Sequence, residues 1–302
     1  MTLFEAIILG IIQGIFMFFP VSSTSHLVLT QHWLIQQGSG MPSPESAEMI
    51  LFDLVVHLGT LVSMAVVFRK SLGHFLSRLF SGAQVRFQRP GKAGARERLT
   101  LKLAFMGILA VGVTGAVGFP LKDLFESVFA RPIFIAGTLT VTGILLYWTD
   151  ILPRRTRRLS DIGPGSAAIV GLAQGLSLLP GLSRSGTTIA FGLFAGMKRR
   201  WAAEFSFFIA FPTIMGASLL QAIEVWQLGW TGGVGLTAMA VGFGVAAVVG
   251  IGALTVVLKL LYRARFRFFS YYVWALAVFV LVGHSQGWLV DTGLVEIDSP
   301  VP

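Results

Sequence analysis

The chain has 302 residues, 54% of them hydrophobic and only 12% charged, with a mean hydropathy of +0.77. A soluble domain of this size carries far more charge on its surface, so the composition excludes one and points to an integral membrane protein. In a soluble protein the net charge of +9 and a pI near 10.5 would raise nucleic acid as a partner; here the Lys and Arg residues cluster between apolar runs, which makes them topology signals and excludes that partner.

The first 68 residues contain no Lys or Arg. Met1 to Gln36 is apolar and is followed by a long apolar run, Met49 to Phe68, that ends at Arg69. Nine basic residues then fall between Arg69 and Lys102, a stretch that reads as a loop, with the Gly/Pro/Lys/Arg segment from Gln88 to Arg98 solvated. Further runs follow at Leu103 to Phe119, Arg131 to Thr149, Phe205 to Ile223, Gly233 to Leu258 and Phe268 to Val290. Each is long enough to cross about 30 Å of hydrocarbon, which takes roughly 20 helical residues. Basic clusters recur at Arg154 to Arg158, Lys198 to Arg200 and Lys259 to Arg267, whereas Lys122 and Arg131 share a loop with Asp123 and Glu126.

With the four basic clusters on the cytoplasmic side, the six runs alternate correctly and both termini, including the acidic tail (Asp291, Glu296, Asp298), lie outside. Two segments do not fit as spans. Ser166 to Met197 lies between two cytoplasmic clusters, and Met1 to Gln36 precedes a run that must start outside, so each enters and leaves on one side. A cleaved signal peptide is a poor account of the apolar start, which lacks a positive n-region. The absence of cysteine removes disulfides and thiolate metal sites.

The two re-entrant segments resemble each other. Ala6 to His26 reads AIILGIIQGIFMFFPVSSTSH and Ala167 to Thr187 reads AAIVGLAQGLSLLPGLSRSGT, matching Gly10 with Gly171, Gln13 with Gln174, Gly14 with Gly175 and Ser22 with Ser183. The fold expected is therefore an all-α integral membrane protein, with six spanning helices plus two re-entrant broken-helix segments in an inverted repeat. It forms a single membrane domain over 1–302, with repeats at approximately 1–119 and 131–258 and a last helix at 268–290. The breaks fall at Pro20 and Pro180, and the helices restart near Ser23 and Ser185. Such breaks are tolerated only where protein or a water-filled cavity surrounds them, and two helix N-termini meeting there form an anion site.

Arg184 is the only basic residue within the apolar segments. An arginine at membrane depth costs at least about 2.5–3.5 kcal/mol, so it needs a partner or a purpose. It serves either a structural ion pair or an anionic ligand. The flanking Ser183, Ser185, Thr187 and Thr188 are donors and favour the ligand, and the planar guanidinium suits phosphate. His26, after Ser22-Ser23-Thr24-Ser25, either caps its break or acts in acid/base or nucleophilic chemistry on phosphorus. Asp53, His57 and Thr60 share one helical face as a polar stripe inside the bundle, with Asp53 one of few carboxylates able to reach an outward cavity. The glycines between Gly107 and Gly118 and between Gly242 and Gly252 read as close helix packing. There is no P-loop or HExxH sequence, and Leu182 to Gly186 lacks the first glycine of G-x-S-x-G.

The stretches QGIFMFFPVSSTSHLVL, FDLVVHLGTL, LLPGLSRSGTTIA and AAEFSFFIAFPTIMGA run in order along nearly the whole chain and resemble the undecaprenyl-diphosphate phosphatase family, the bacitracin-resistance proteins. The most specific of them is Pro-Gly-x-Ser-Arg-Ser-Gly-x-Thr, at Pro180 to Thr188. The resemblance implies a multi-pass enzyme of the bacterial cytoplasmic (inner) membrane, open to the outer face. Such an enzyme removes the terminal phosphate of undecaprenyl diphosphate to recycle the cell-wall lipid carrier, with Mg²⁺ or Ca²⁺ assisting. It implies Arg184, His26, Ser22, Ser23, Ser183 and Ser185 as site residues, with Thr188 closing the second motif. The lipid diphosphate and the bilayer are the expected partners, and a homo-oligomer is compatible with them. One position departs: the family's first motif has Glu or Gln and, four residues on, Glu, whereas here Gln13 is followed by Met17. A thioether is no ligand for a hard cation. Either Asp53 supplies the carboxylate, or hydrolysis is slow, or the protein is a non-hydrolytic polyprenyl-phosphate binding protein or flippase.

Overall fold

The computed structural model describes residues 1–302 except 45, 89–93, 122, 123, 125–127, 129, 130, 154, 229–232, 264 and 290–302, with the backbone alone at 82–88, 221, 224, 225, 228 and 261–263. The described residues form helices α1 (Leu3–Phe16), α2 (Ser23–Gln36), α3 (Ala47–Val67), α4 (Arg69–Gln88), α5 (Ala95–Gly118) and α6 (Pro132–Ile151). After a short 3₁₀ turn at Leu159–Asp161 come α7 (Pro164–Leu176), α8 (Arg184–Phe194), α9 (Arg199–Leu228), α10 (Leu236–Arg263) and α11 (Arg267–Ser285).

Six of these, α3, α5, α6, α9, α10 and α11, are long and apolar enough to cross a bilayer, and they coincide with the six apolar runs. The other apolar helices come in two broken pairs, α1/α2 and α7/α8, each too short to span about 20 residues alone. The bundle has an apolar core with polar side chains buried inside it, and its outer faces are apolar as well. Gln13 and Gln174 are fully buried, while Ile108 and Val248 on the outer faces are each 72% exposed. Apolar outer faces with the polar groups turned inward are what a hydrocarbon solvent selects.

The local sequence explains where the helices start. Thr2 and Glu5 form a reciprocal capping box at α1, Ser46 Oγ accepts from Met49 N–H at 3.3 Å at α3, and Pro132 and Pro164 open α6 and α7, where a missing N–H costs nothing. One expectation is corrected: the basic stretch after Arg69 is largely helix, α4 and the first turns of α5. Leu72, Phe75, Leu76, Leu79 and Phe80 recur at helical spacing, so α4 is amphipathic; of the Gln88 to Arg98 segment expected to be a solvated loop, residues 89–93 lie outside the described residues and Ala95 to Arg98 open α5. Likewise Arg199, Arg263 and Arg267 lie in helices rather than loops. Arg154, the Lys122, Asp123 and Glu126 cluster and the acidic tail lie outside the described residues.

Packing ties the first and second broken pairs to each other's halves of the chain. Helix α1 lies along α10, and α7 lies along α5. A Cβ on Gly10 would come within 2.8 Å of Gly242 O and one on Gly14 within 2.9 Å of Val249 Cβ; at the matching positions, one on Gly171 would meet the Ala110 backbone and one on Gly175 would come within 2.8 Å of Val117 Cβ. Small residues therefore let each first half-helix seat against its neighbour. Of the other glycines expected at close contacts, Gly107, Gly118, Gly242 and Gly250 meet side chains, whereas Gly112, Gly115, Gly244 and Gly252 face open space. Helices α6 and α11 pack on each other, and α3 on both α9 and α10.

Candidate functional site

The two chain breaks, Met17 to Ser22 and Ser177 to Ser183, interlock. Gly181 N–H donates to Ser22 Oγ at 3.2 Å, and Ser185 Oγ donates to Phe19 O at 3.1 Å. Helix α6 braces the second break from behind, with Thr138 Oγ1 donating to Pro180 O at 2.5 Å and Thr142 Oγ1 to Gly181 O at 2.8 Å. Gly181 has φ +94°, and a Cβ there would collide with Thr138, so both conformation and space require glycine. Freed backbone groups at both breaks are thus satisfied inside protein, as an intramembrane break demands.

Helix α8 restarts one residue earlier than expected, at Arg184, with Ser183 as its cap: Ser183 Oγ accepts from Gly186 N–H at 3.2 Å. Helix α2 restarts at Ser23 as expected, but Ser22 makes no side-chain cap; it sits at φ +66° and its hydroxyl bonds Ser25 Oγ at 3.0 Å. Helix α2 therefore starts without a side-chain cap, and α8, capped at Gly186, keeps the N–H groups of Arg184 and Ser185 beyond that cap.

Arg184 reaches across to the first break. Its Nη2 lies 3.6 Å from Met17 Sδ, and Gln13 Nε2 and Ser23 Oγ converge on the same sulfur at 3.3 and 3.8 Å. Gln13 and Met17 thus face the site. Arg184 Nη1 is buried with no hydrogen-bond partner among the described residues, as are Thr187 Oγ1 and Gln13 Oε1. A thioether is a weak acceptor, so among the described residues the Arg184 guanidinium meets no strong one. The other expected donors are partly spent on the scaffold. Thr188 Oγ1 bonds Arg184 O at 2.7 Å and Ser206 Oγ at 2.5 Å.

His26 is held at both ring nitrogens, Nδ1 2.7 Å from Ser22 O and Nε2 2.8 Å from the Tyr272 hydroxyl, and it stacks on Phe16 with centroids 3.9 Å apart. Tyr272, on α11, is a partner that sequence reasoning missed; its signal, one of two adjacent phenols in a mostly apolar helix, did not single it out. On α3, Asp53 Oδ1 accepts from Gln31 Nε2 at 2.9 Å, and His57 Nδ1 lies 2.7 Å from Asp53 O. Thr60 turns back onto its own helix, donating to His57 O.

The chemistry of this donor set decides what it can hold. Around Arg184 stand an amide, a thioether, hydroxyls and a cation, with no carboxylate. Among the described residues no group of three or more His, Asp or Glu is placed to hold a metal ion. Hard divalent cations want several oxygen ligands, carboxylates above all, so these residues do not make a site for Mg²⁺ or Ca²⁺. Their unpartnered donors are of the kind that oxyanions accept from.

A profile of the family described as bacitracin resistance protein BacA matches residues 6–279. The chain belongs to that family. It is similar to the undecaprenyl-diphosphatases of Alkalilimnicola ehrlichii (58% identical, over 94% of this chain and 97% of that one) and Halorhodospira halophila (56%, over 94% and 98%). A third, the undecaprenyl-diphosphatase of Desulfosudis oleivorans, is 37% identical over 90% of this chain and 95% of its own. The match to the BacA family spans both breaks and all six long helices to within a few residues of the end of α11.

Proposed function

We propose that this protein hydrolyses undecaprenyl diphosphate to undecaprenyl phosphate and inorganic phosphate. The observation that carries the reading is the buried Arg184 guanidinium, set between two interlocked helix breaks with Nη1 unpartnered. A diphosphate supplies the oxygens that Arg184, the Thr187 and Ser23 hydroxyls and the N–H groups of α2 and α8 lack. Bound there, its terminal phosphoryl group meets fixed donors in a water-poor site, where such donors stabilise the spreading charge of phosphoryl transfer most strongly.

His26 is the base- or acid-bearing group of this reading. Its Nε2 either attacks the terminal phosphorus, with the polyprenyl phosphate leaving and water later freeing the phosphate, or protonates the bridging oxygen as water attacks. Either role requires it to exchange its bond with Tyr272. Tyr272 is 42% exposed, so the partner that His26 gives up in this reading lies at the surface of the bundle.

The reading includes placement in the bacterial inner membrane, with the two broken pairs related as inverted repeats, the site open to the outer face and both termini on that side. The crossed packing of α1 on α10 and α7 on α5 supports the repeat. Because the chain has no cysteine, single cysteines test the orientation: Gly40→Cys should react with a membrane-impermeant maleimide in cells with a permeabilised outer layer, and Gly73→Cys should not. The activity is tested by phosphate release from undecaprenyl diphosphate by the purified protein in detergent. Absence of release from the folded wild type overturns the reading.

A further inference from the structure

The position that sets the charge of the cradle is residue 17. Three donors converge on its sulfur, Gln13 Nε2 at 3.3 Å, Arg184 Nη2 at 3.6 Å and Ser23 Oγ at 3.8 Å, and Met17 itself is buried. A thioether offers them a weak acceptor and no charge. Arg184 therefore keeps its full positive charge for a ligand, and the cradle has nothing with which to attract a second cation. Asp53, on α3, has its Oδ1 taken by Gln31 at 2.9 Å.

We propose that this site binds the diphosphate group as the free anion, Arg184 serving where a divalent cation would otherwise neutralise it, and that the residue at position 17 decides between the two modes. The electrostatics run one way. With methionine, an incoming diphosphate meets one buried cation and no negative group, and a bound Mg²⁺ would lack protein ligands. A carboxylate at the same place would pair with Arg184, repel the anion, and supply the hard oxygen ligand that a cation needs to bridge protein and phosphate. That the bound group is a diphosphate rests on the hydrolase reading; the charge argument needs only a phosphate-type anion.

Two binding measurements in detergent test this without reference to turnover. The probes are farnesyl methylenediphosphonate, whose P–C–P bridge cannot be hydrolysed, and Mn²⁺ alone, followed by its electron paramagnetic resonance signal. Wild type should bind the diphosphonate in EDTA and show no saturable Mn²⁺ site. Met17→Glu should lose at least about tenfold in diphosphonate affinity in EDTA, gain a saturable Mn²⁺ site, and recover affinity when Mn²⁺ is added. Met17→Gln, of similar size and uncharged, should stay within about threefold of wild type in EDTA, which separates charge from packing. The proposal is overturned by wild type that binds the diphosphonate only with a divalent cation, or not at all. Saturable Mn²⁺ binding that Asp53→Asn abolishes also overturns it, as does Met17→Gln behaving like Met17→Glu. If wild type binds the probe in EDTA yet releases no phosphate from undecaprenyl diphosphate, the hydrolase reading fails while this one stands.

Discussion

Gly181 N–H donates to Ser22 Oγ at 3.2 Å, joining two helix breaks that lie 159 residues apart in the chain. The bond makes one rigid unit of two segments that would otherwise each be an exposed break in a helix. Ser22 is the one non-glycine among the described residues at positive φ, +66°, and from there its hydroxyl meets both the Gly181 N–H across the interface and Ser25 Oγ on its own helix. Ser22→Ala leaves the Gly181 N–H buried without an acceptor, at about 1–3 kcal/mol, and keeps the left-handed strain. Ser22→Gly loses the same bond but removes roughly 1–2 kcal/mol of that strain. Thermal unfolding in detergent should therefore rank wild type above Ser22→Gly, and Ser22→Gly above Ser22→Ala.

Arg184 separates function from stability. If it serves a ligand, Arg184→Ala removes a poorly partnered buried charge, so the melting temperature should hold or rise while phosphate release falls by about 100-fold or more. Arg184→Lys should not restore activity, since a point charge cannot reproduce the guanidinium fork reaching toward Met17 and a phosphate at once. A melting temperature that drops sharply in Arg184→Ala would instead mark a structural cation.

The seating of α7 on α5 depends on Gly171, where an added Cβ runs into the Ala110 backbone, which cannot rotate aside. Gly171→Ala should cost about 1–3 kcal/mol as overpacking. Gly112, on α5 itself, faces open space, and Gly112→Ala should be neutral or slightly stabilising because alanine is the better helix former. Thermal unfolding of the pair in one detergent checks the contrast.

Much of this architecture was legible in the residues. The runs Met49 to Phe68 and Arg131 to Thr149 became α3 (Ala47–Val67) and α6 (Pro132–Ile151), because unbroken apolar length is a strong signal for a span. Pro20 and Pro180, each beside serines, announced the breaks. Helix α4 was missed although its apolar spacing was plain, because its Arg and Lys content drew the reading toward loop. What no local pattern could give was the contact set of the site. Met17 meeting Arg184, Ser185 meeting Phe19 and His26 meeting Tyr272 are all pairings across more than 160 residues, fixed by how α1, α8 and α11 pack and not by neighbours in sequence. Ser183 and Thr188 differ: their hydroxyls read as ligand donors but are turned to capping α8 and to tying it to α9 through bonds that span 3 to 18 residues.

His26 and Tyr272 give the sharpest separation of roles. With Nδ1 fixed on Ser22 O and the ring stacked on Phe16, Nε2 is the only nitrogen free to meet phosphorus or a bridging oxygen once it leaves Tyr272. His26→Asn keeps a polar group of similar reach but no titratable ring nitrogen, and should lower phosphate release by about 100-fold or more, with little change in substrate affinity. Tyr272→Phe keeps the ring and loses one neutral hydrogen bond worth about 1 kcal/mol. Because that bond orients His26 in the free protein and must break for reaction, its loss should change kcat by less than about tenfold, in contrast to the histidine. Steady-state kinetics on both variants, alongside the melting temperature of each, checks the difference. A Tyr272→Phe defect as deep as that of His26→Asn would assign the phenol, rather than the imidazole, to the reacting atoms.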